Sequence, residues 1–211
     1  MSIIALNNIC KRFDEKVIFE NFNLEVQEGE FVSIMGASGK GKTTLLNIIG
    51  LLERPDSGTV TLCGVKNAKF NSREAREMRR TELSYLFQNY GLMENETVES
   101  NLMIAMEYGD YSSNEKKVKI SETLEKLGIS NFEKRKVYTL SGGEQQRVAL
   151  AKVMLKDPKL ILADEPTGSL DAGNRDFVLS VLKELNDKGK TILVVTHDKN
   201  VENYAHTKIV L

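Results

Sequence analysis

The sequence is poor in several features that mark other classes of protein. It has two cysteines, Cys10 and Cys63, and no tryptophan among its 211 residues. Two thiols are too few for the disulfide framework of a small secreted domain, and we expect a reducing compartment. The first residues, MSIIALNN, have neither the basic segment nor the long apolar segment of a secretory leader. No apolar run approaches the roughly 18 residues that a membrane-spanning helix requires.

A charge excess of either sign is also missing. The chain has 29 Lys and Arg against 30 Asp and Glu, a formal net charge of −1. Without a basic field, a general coat for DNA or RNA is disfavoured, and we expect no nucleic-acid partner. Apolar residues make up 41% of the chain, which is enough for a real core. At this length we expect one large domain, or one core that carries a small subdomain.

Strand and helix patterns alternate at both ends of the chain, which predicts an α/β protein with a parallel sheet and helical crossovers. Helical patterns dominate the middle, so a helical insert is expected between two α/β halves. The charges at residues 115–119 are interpreted as a solvated helix face. The predicted strands are 3–6, 17–26, 31–35, 160–163 and 191–195, and the predicted helices are 43–52, 72–83, 98–127 with a break near 109–113, 143–156 and 174–187.

A glycine-rich segment between a predicted strand and a predicted helix fits the pattern G-x-x-x-x-G-K-[ST], because residues 36–43 are GASGKGKT. Glycines let successive N–H groups point at phosphate oxygens, and the helix adds the partial positive charge of its N-terminus. Accidental spacing is the alternative, and the flanking elements argue against it. We expect Lys42 to reach the β- and γ-phosphates and the Thr43 hydroxyl to ligate Mg²⁺. The predicted nucleotide-binding residues here are Gly36, Ala37, Ser38, Gly39, Lys40, Gly41, Lys42, Thr43 and Thr44.

A second chemical signal is an apolar strand that ends in two acids. Residues 160–165 read LILADE. The strand tip would place Asp164 beside the Mg²⁺ site, while Glu165 points elsewhere and can polarise an attacking water. Two adjacent carboxylates at a buried strand end are costly unless a cation or hydrogen bonds compensate them. An ordinary acidic strand-to-loop junction is the alternative interpretation.

The third signal is the segment LSGGEQQR at residues 140–147. Ser141 and the two glycines after it predict a helix N-terminus with open N–H groups, which is a second anion site. One ATP does not need two such devices from one chain. A symmetric head-to-tail dimer resolves this, because each nucleotide then lies between the phosphate loop of one subunit and the serine–glycine helix start of the other. An ordinary loop before a helix is the alternative.

Together these motifs resemble those of the ATP-binding cassette (ABC) ATPases, and the resemblance covers essentially all of the chain. It implies a P-loop NTPase core with a mainly parallel sheet, an N-terminal antiparallel β subdomain and an inserted α-helical subdomain. Residues 1–211 would form a single ABC ATPase domain, with the helical subdomain at about 89–150. Residues 140–144 match the ABC signature, so the resemblance implies nucleotide binding by Ser141, Gly142, Gly143 and Glu144.

The resemblance also implies roles for single residues. Gln88 matches the Q-loop glutamine, which ligates Mg²⁺ and senses a transmembrane partner, and His197 matches the switch histidine that contacts the γ-phosphate. Phe13 matches the aromatic residue that stacks on adenine, although locally a core aromatic is the alternative. Ser169, Leu170 and Asp171 match the D-loop, and Asp171 is expected at the nucleotide. The implied catalytic residues are Glu165, His197, Gln88 and Lys42, and the implied metal ligands are Thr43, Gln88 and Asp164.

Two features depart from the usual pattern of the family. Lys40 stands where serine is common, and its cation either tightens phosphate binding or points to solvent. The chain stops at residues 209–211, soon after the last predicted strand, so no C-terminal regulatory domain is expected.

The segment ADEPTGSLD at residues 163–171 is similar to the form typical of the macrolide and bacteriocin exporter, lipoprotein-release and cell-division branch. The resemblance implies an ATPase subunit that hydrolyses ATP, with Mg²⁺, at the cytoplasmic face of the cell membrane. Its expected partners are a second copy of itself and an integral-membrane permease, received at about residues 89–106. Export of a peptide, bacteriocin or antimicrobial is the favoured function. A lipoprotein-release or cell-division complex is the alternative, and a non-transport ABC ATPase is less favoured.

Overall fold

The computed structural model describes residues 1–67, 70–168 and 170–211. Ser169, one of the expected D-loop residues, therefore lies outside the described residues. Two sheets form the framework. The first is antiparallel and has the strand order β2-β1-β4-β5. Its strands are β1 (Ser2–Phe13), β2 (Lys16–Gln27), β4 (Ser57–Leu62) and β5 (Val65–Lys66).

The second sheet is parallel throughout and has the order β6-β7-β8-β3-β9. Its central strands read FVSIM, LILAD and TILVVT, and nearly every residue in them is buried, as expected for strands covered on both faces. Parallel strands end at the same edge of a sheet, and ligands bind at that edge in open α/β sheets. The strands are β3 (Phe31–Met35), β6 (Leu83–Leu86), β7 (Leu160–Asp164), β8 (Thr191–Thr196) and β9 (Thr207–Val210).

Each face of the parallel sheet has its own core. Phe31 and Ile192 belong to a cluster with four helices, α3 (Val98–Ala105), α4 (Ser113–Lys126), α5 (Gly142–Lys156) and α6 (Ala172–Asp187). Their neighbours Val32 and Leu193 belong to a cluster with α1, α2 and the antiparallel sheet, because side chains alternate along a strand. The other two helices are α1 (Lys42–Ile49) and α2 (Arg73–Thr81).

The expected combination of a parallel core sheet, an N-terminal antiparallel sheet and an inserted group of helices is present. Several predicted helix limits were wrong. The helix predicted at 174–187 begins at Ala172, and the helix before the break predicted near 109–113 already ends at Ala105. The helix predicted at 43–52 ends at Ile49, and Leu51 has a φ of 56°, which no α-helix accommodates. The helix predicted at 72–83 ends at Thr81, because Leu83 pairs with Leu160 as the first residue of β6.

Four strands, β4, β5, β6 and β9, were not predicted individually. They are two to six residues long, and β9 (TKIV) alternates half-buried with exposed positions although its polar and apolar residues do not alternate. Such short segments carry too little periodicity to be distinguished from loops. Within the described parts of the chain, no helix is long and apolar enough to cross a membrane.

Candidate functional site

A cavity of about 720 Å³ lies where the strands of the parallel sheet end and the β1–β2 hairpin approaches them. We call it the edge cavity. Most of the residues that the sequence predicts to bind the nucleotide, bind the metal or activate the attacking water meet here, although they come from distant parts of the chain. The lining residues are Phe13, Lys16, Ile18, Ser38, Gly39, Gly41, Lys42, Thr43, Thr44, Gln88, Asp164, Glu165 and His197.

The phosphate loop joins β3 to α1 at the floor of the edge cavity. Gly41 has a φ of 90°, and a Cβ built on it would lie 2.4 Å from Ile18 Cγ2, so only glycine fits. Gly41 also occupies the N-cap of α1, where no side chain accepts from the helix N–H groups. Lys42 Nζ donates to the carbonyl oxygens of Gly36 at 2.7 Å and Ala37 at 3.3 Å. The loop thus offers open N–H donors and an ammonium group to an anion.

Asp164 is the last residue of β7 and is buried, with 7% of its surface exposed. Burial raises the pKa of its carboxyl, and the charge of Glu165 raises it further, while the hydrogen bond from the Thr43 hydroxyl and the charge of Lys42 lower it. The carboxylate therefore sits in a place where its charge is poorly solvated. A cation beside the Thr43 hydroxyl would relieve that cost.

Glu165 follows β7 with a φ of 45°, a strained value for a residue with a side chain. Both oxygens of its carboxylate have partners, so the side chain is held in one position. Oε1 lies 2.9 Å from His197 Nδ1, and Oε2 accepts from the Thr196 hydroxyl at 2.9 Å. Because β7 and β8 are neighbours, their ends bring Glu165 and His197 together although 31 residues separate them in the chain.

Phe13 forms the outer wall of the edge cavity. Its side chain is 45% exposed, so it is not the core aromatic that a local interpretation allowed. Lys11 Nζ lies 4.7 Å from the centroid of the ring and is held by Glu53 at 2.6 Å and the Arg54 carbonyl at 2.9 Å. The cation supports the ring by a cation–π contact while leaving much of it accessible.

Gln88 enters the edge cavity from residues 87–93, which we call the Gln88 loop. Two contacts tie this loop to α5. Lys152 Nζ donates to the Gly91 carbonyl at 2.9 Å. The Tyr90 hydroxyl oxygen lies 2.9 Å from the position that a Cβ on Gly142 would occupy. The loop beside the edge cavity and the start of α5 are therefore in direct contact.

The start of α5, residues 141–144, is the serine–glycine helix start. It is closed by a capping box: Glu144 N–H donates to Ser141 Oγ at 3.4 Å, and Ser141 N–H donates to Glu144 Oε2 at 2.7 Å. These bonds lower the pKa of Glu144. Open N–H groups were expected at this helix start. Among the N–H groups of residues 141–144, all of them described, those of Gly142 and Gly143 lack an acceptor, because the capping box satisfies those of Ser141 and Glu144.

Asp171 lies at the start of α6, beside the serine–glycine helix start. It accepts from Asn174 N–H at 2.9 Å and from Asn174 Nδ2 at 2.7 Å. Asn174 Nδ2 in turn lies 2.9 Å from the position that a Cβ on Gly143 would occupy, and Arg147 bonds Asn174 Oδ1. Asp171 is thus connected to the signature segment through Asn174.

The expected site residues fall into two groups. The edge cavity contains Phe13, six of the nine predicted residues of the phosphate loop, and all the expected Mg²⁺ ligands and catalytic residues. Ser141, Gly142, Gly143, Glu144 and Asp171 do not line it, and neither do Gly36, Ala37 and Lys40. Two lining residues, Lys16 and Ile18, were missed. Their position directly after the turn that follows Phe13 is the only signal that could have indicated them.

The chain is similar to known proteins over most of its length. A family model described as ABC transporter matches residues 19–168. The uncharacterized ABC transporter ATP-binding protein YvrO of Bacillus subtilis is 41% identical over 96% of the chain and 90% of that protein. The macrolide export ATP-binding/permease protein MacB of Campylobacter jejuni is 40% identical over 94% of the chain, which spans only 31% of MacB.

Among solved structures, the chain is similar to the ATP-binding cassette MJ0796 of Methanocaldococcus jannaschii. The match has a TM-score of 0.90 at 37% identity and covers 99% of the chain and 94% of that structure. That structure is a dimeric post-hydrolysis state bound to ADP and Pi.

Proposed function

The chain belongs to the ABC transporter family as an ATP-binding subunit that hydrolyses ATP, and from this premise we propose that two copies close around two ATP molecules to drive a membrane permease. The observation that carries the proposal is the split of the site residues. The edge cavity holds the parts that bind and cleave a nucleotide, while the serine–glycine helix start lies outside it. A second copy can bring its own helix start to that cavity.

Within one chain, the edge cavity fits one ATP. The exposed ring of Phe13 receives the adenine, and the N–H groups at the start of α1 receive the β- and γ-phosphates. Lys42 can exchange its bonds to the loop carbonyls for bonds to phosphate oxygens. Lys40 does not line the edge cavity, which favours a solvent position for its cation.

The residues expected to bind Mg²⁺ fit that ion. Thr43, Asp164 and Gln88 present a hydroxyl, a carboxylate and an amide to the edge cavity, and Mg²⁺ prefers oxygen ligands. The buried carboxyl of Asp164 would gain a compensating charge. When bound, Mg²⁺ would neutralise part of the charge on the phosphates.

Glu165 then acts on the attacking water, and His197 acts on the γ-phosphate. The Glu165 carboxylate is fixed by the Thr196 hydroxyl and by His197, so one geometry is selected before ATP binds. In that geometry Glu165 can accept a hydrogen bond from the water and orient it toward the γ-phosphate. His197, 75% exposed, can donate to a γ-phosphate oxygen. The Gly142 and Gly143 N–H groups of the second copy would complete the charge stabilisation.

The permease is proposed as a separate chain. MacB carries an ATP-binding part and a permease part in one protein, by its name, and this chain matches about a third of it. We propose that the permease docks at the cytoplasmic face on residues 89–106, inside a helical subdomain of about 89–150. The similarity to MacB favours export of a peptide, bacteriocin or antimicrobial over lipoprotein release or cell division.

Replacing Glu165 with glutamine tests the proposal. Glu165→Gln keeps the shape and most hydrogen bonds but cannot take a proton, so turnover should fall by about two to four orders of magnitude. ATP should then trap a dimer, visible by size-exclusion chromatography with light scattering. Glu122→Gln, at an exposed position of α4, is the control and should hydrolyse ATP normally. Normal hydrolysis by Glu165→Gln would falsify the role of Glu165. If this variant stayed monomeric at saturating ATP, the proposal of a closed dimer would be contradicted.

A further inference from the structure

Lys16 is a lining residue of the edge cavity for which neither the motifs nor the comparisons provide a role. Its side chain is exposed, and among the described residues its ammonium group has no hydrogen bond or ion pair, not even with the adjacent Asp14 and Glu15. An unpaired ammonium group on the wall of a cavity that binds a polyanion is a candidate ligand for that anion.

The β1–β2 hairpin determines where this ammonium group lies. Phe13 and Lys16 are direct cross-strand partners, so their side chains project from the same face of the hairpin. Lys16 Nζ lies 3.9 Å from the position that a Cβ on Gly39 would occupy. Ile18, two residues along the same strand, contacts Gly41. The hairpin face that carries Phe13 therefore lies over the phosphate loop, with Lys16 between the ring and Gly39.

The order of groups in a nucleotide then selects the contact. If adenine stacks on Phe13 and the terminal phosphates lie at Lys42, the ribose and the α-phosphate must cross the gap between them. Lys16 is the cation in that gap. We propose that Lys16 binds the α-phosphate of the nucleotide, an inference that rests on the proposed placement of adenine on Phe13.

Binding to the α-phosphate has a distinctive energetic consequence. The α-phosphate is present in both ATP and ADP, and it does not change charge when the γ-phosphoryl group is transferred. The contact therefore stabilises substrate, transition state and product alike, which lowers KM without raising kcat. Because the pair is exposed to solvent, its strength should fall as salt is added.

The test uses Lys16→Met, which keeps the aliphatic stem and removes the charge, with Lys16→Arg as the rescue. Lys66→Met is the control, since Lys66 is an exposed lysine of the same antiparallel sheet outside the edge cavity. Dissociation constants for ATP, ADP and adenosine are measured by titration, with Mg²⁺, at low and high ionic strength. KM and kcat of ATP hydrolysis are measured in parallel.

We expect Lys16→Met to raise the dissociation constants of ATP and ADP by the same factor, about threefold to fivefold, with a smaller factor at high salt. Adenosine affinity and kcat should not change, and Lys16→Arg should restore ATP affinity. No loss, a loss for ATP alone, or an equal loss for adenosine would each overturn the contact with the α-phosphate. Phe13→Ala keeps the two ideas separate, because unchanged adenosine affinity in that variant contradicts the adenine site itself.

Discussion

Two helix starts in this protein are candidates for binding phosphate, and they are built differently. The start of α1 has glycine at its N-cap and no side chain that accepts from its N–H groups. The start of α5 has a serine N-cap and a complete capping box with Glu144. The first is therefore open, and it lies in the edge cavity with the proposed catalytic residues. The second is largely satisfied by its own side chains and lies outside the edge cavity.

This difference suggests a division of labour. An uncapped helix start lacks acceptors for its N–H groups unless water or a ligand supplies them, so α1 is suited to bind the phosphates of the nucleotide. A capped start is stable without ligand, so α5 can be exposed in a separate subunit and can still offer the N–H groups of Gly142 and Gly143.

The open helix start is broken most severely at Gly41. In Gly41→Ala the new Cβ would overlap Ile18 at a φ of 90°, so the phosphate loop must move. We expect ATP affinity to fall by about tenfold or more, since the N–H groups of the loop would no longer point at the phosphate oxygens. Titration with ATP measures the loss. Gly64→Ala is the matched control, because Gly64 has a φ of 78° but no atom within 4 Å of the added Cβ. Equal ATP affinity in the two variants would contradict the assignment.

The capped helix start is tested by Ser141→Ala, with Ser112→Ala as its match. Ser112 and Glu115 form the same capping box at the start of α4. Each substitution should cost about 1 kcal/mol of unfolding free energy, because one N–H group loses its acceptor. Only Ser141→Ala should also weaken the ATP-trapped dimer in the Glu165→Gln background, while ATP affinity of the monomer stays the same. Similar dimer affinity for both variants would contradict the proposal that the start of α5 contacts the nucleotide of the other subunit.

The connection between the two regions is tested at Lys152, which bonds the Gly91 carbonyl beside Gln88. In Lys152→Met the Gln88 loop loses this tie to α5, so we expect kcat to fall by about threefold to tenfold with little change in ATP affinity. Lys156→Met is the control on the same helix, since Lys156 bonds the Arg79 carbonyl of α2 and not the Gln88 loop. Steady-state hydrolysis distinguishes the two, and equal kcat values would show that the tie has no role.

The smallest expected effect is the response of the capping boxes to acid. Hydrogen bonds within each box lower the pKa of Glu144 and of Glu115 below the ordinary value of a glutamate, about 4.5. Each carboxylate therefore stabilises the fold above about pH 4.5, and this contribution is lost as pH falls through the lower folded pKa. Arg135 beside Glu144 and Lys119 near Glu115 act in the same direction.

Glu144→Gln and Glu115→Gln should each reduce the acid dependence of the thermal unfolding midpoint. Thermal melts between about pH 7 and pH 3 measure the difference from the unmodified chain. Unchanged slopes would mean that neither carboxylate is stabilised by its cap.

The sequence was informative where a motif requires a local backbone geometry. Gly41 needs a positive φ whatever surrounds it, and Ser141 with Glu144 forms a capping box from residues three apart. Strand predictions were good for β3, β7 and β8, since continuous burial leaves a continuous apolar run. They failed for β6 and β9, because a short strand at or near a sheet edge has no such run.

The sequence by itself determined where the candidate phosphate loop, the acidic strand end and the candidate signature segment lie, because each motif depends on residues that are close in the chain. The tertiary structure alone decided which of them meet. Neighbouring parallel strands end at one edge and bring Glu165 to His197. The hairpin brings Phe13 and Lys16 over Gly39. The same packing leaves Ser141 outside the edge cavity. The distances between these segments depend on the pairing of strands that are far apart in the chain, and no local sequence pattern encodes that pairing.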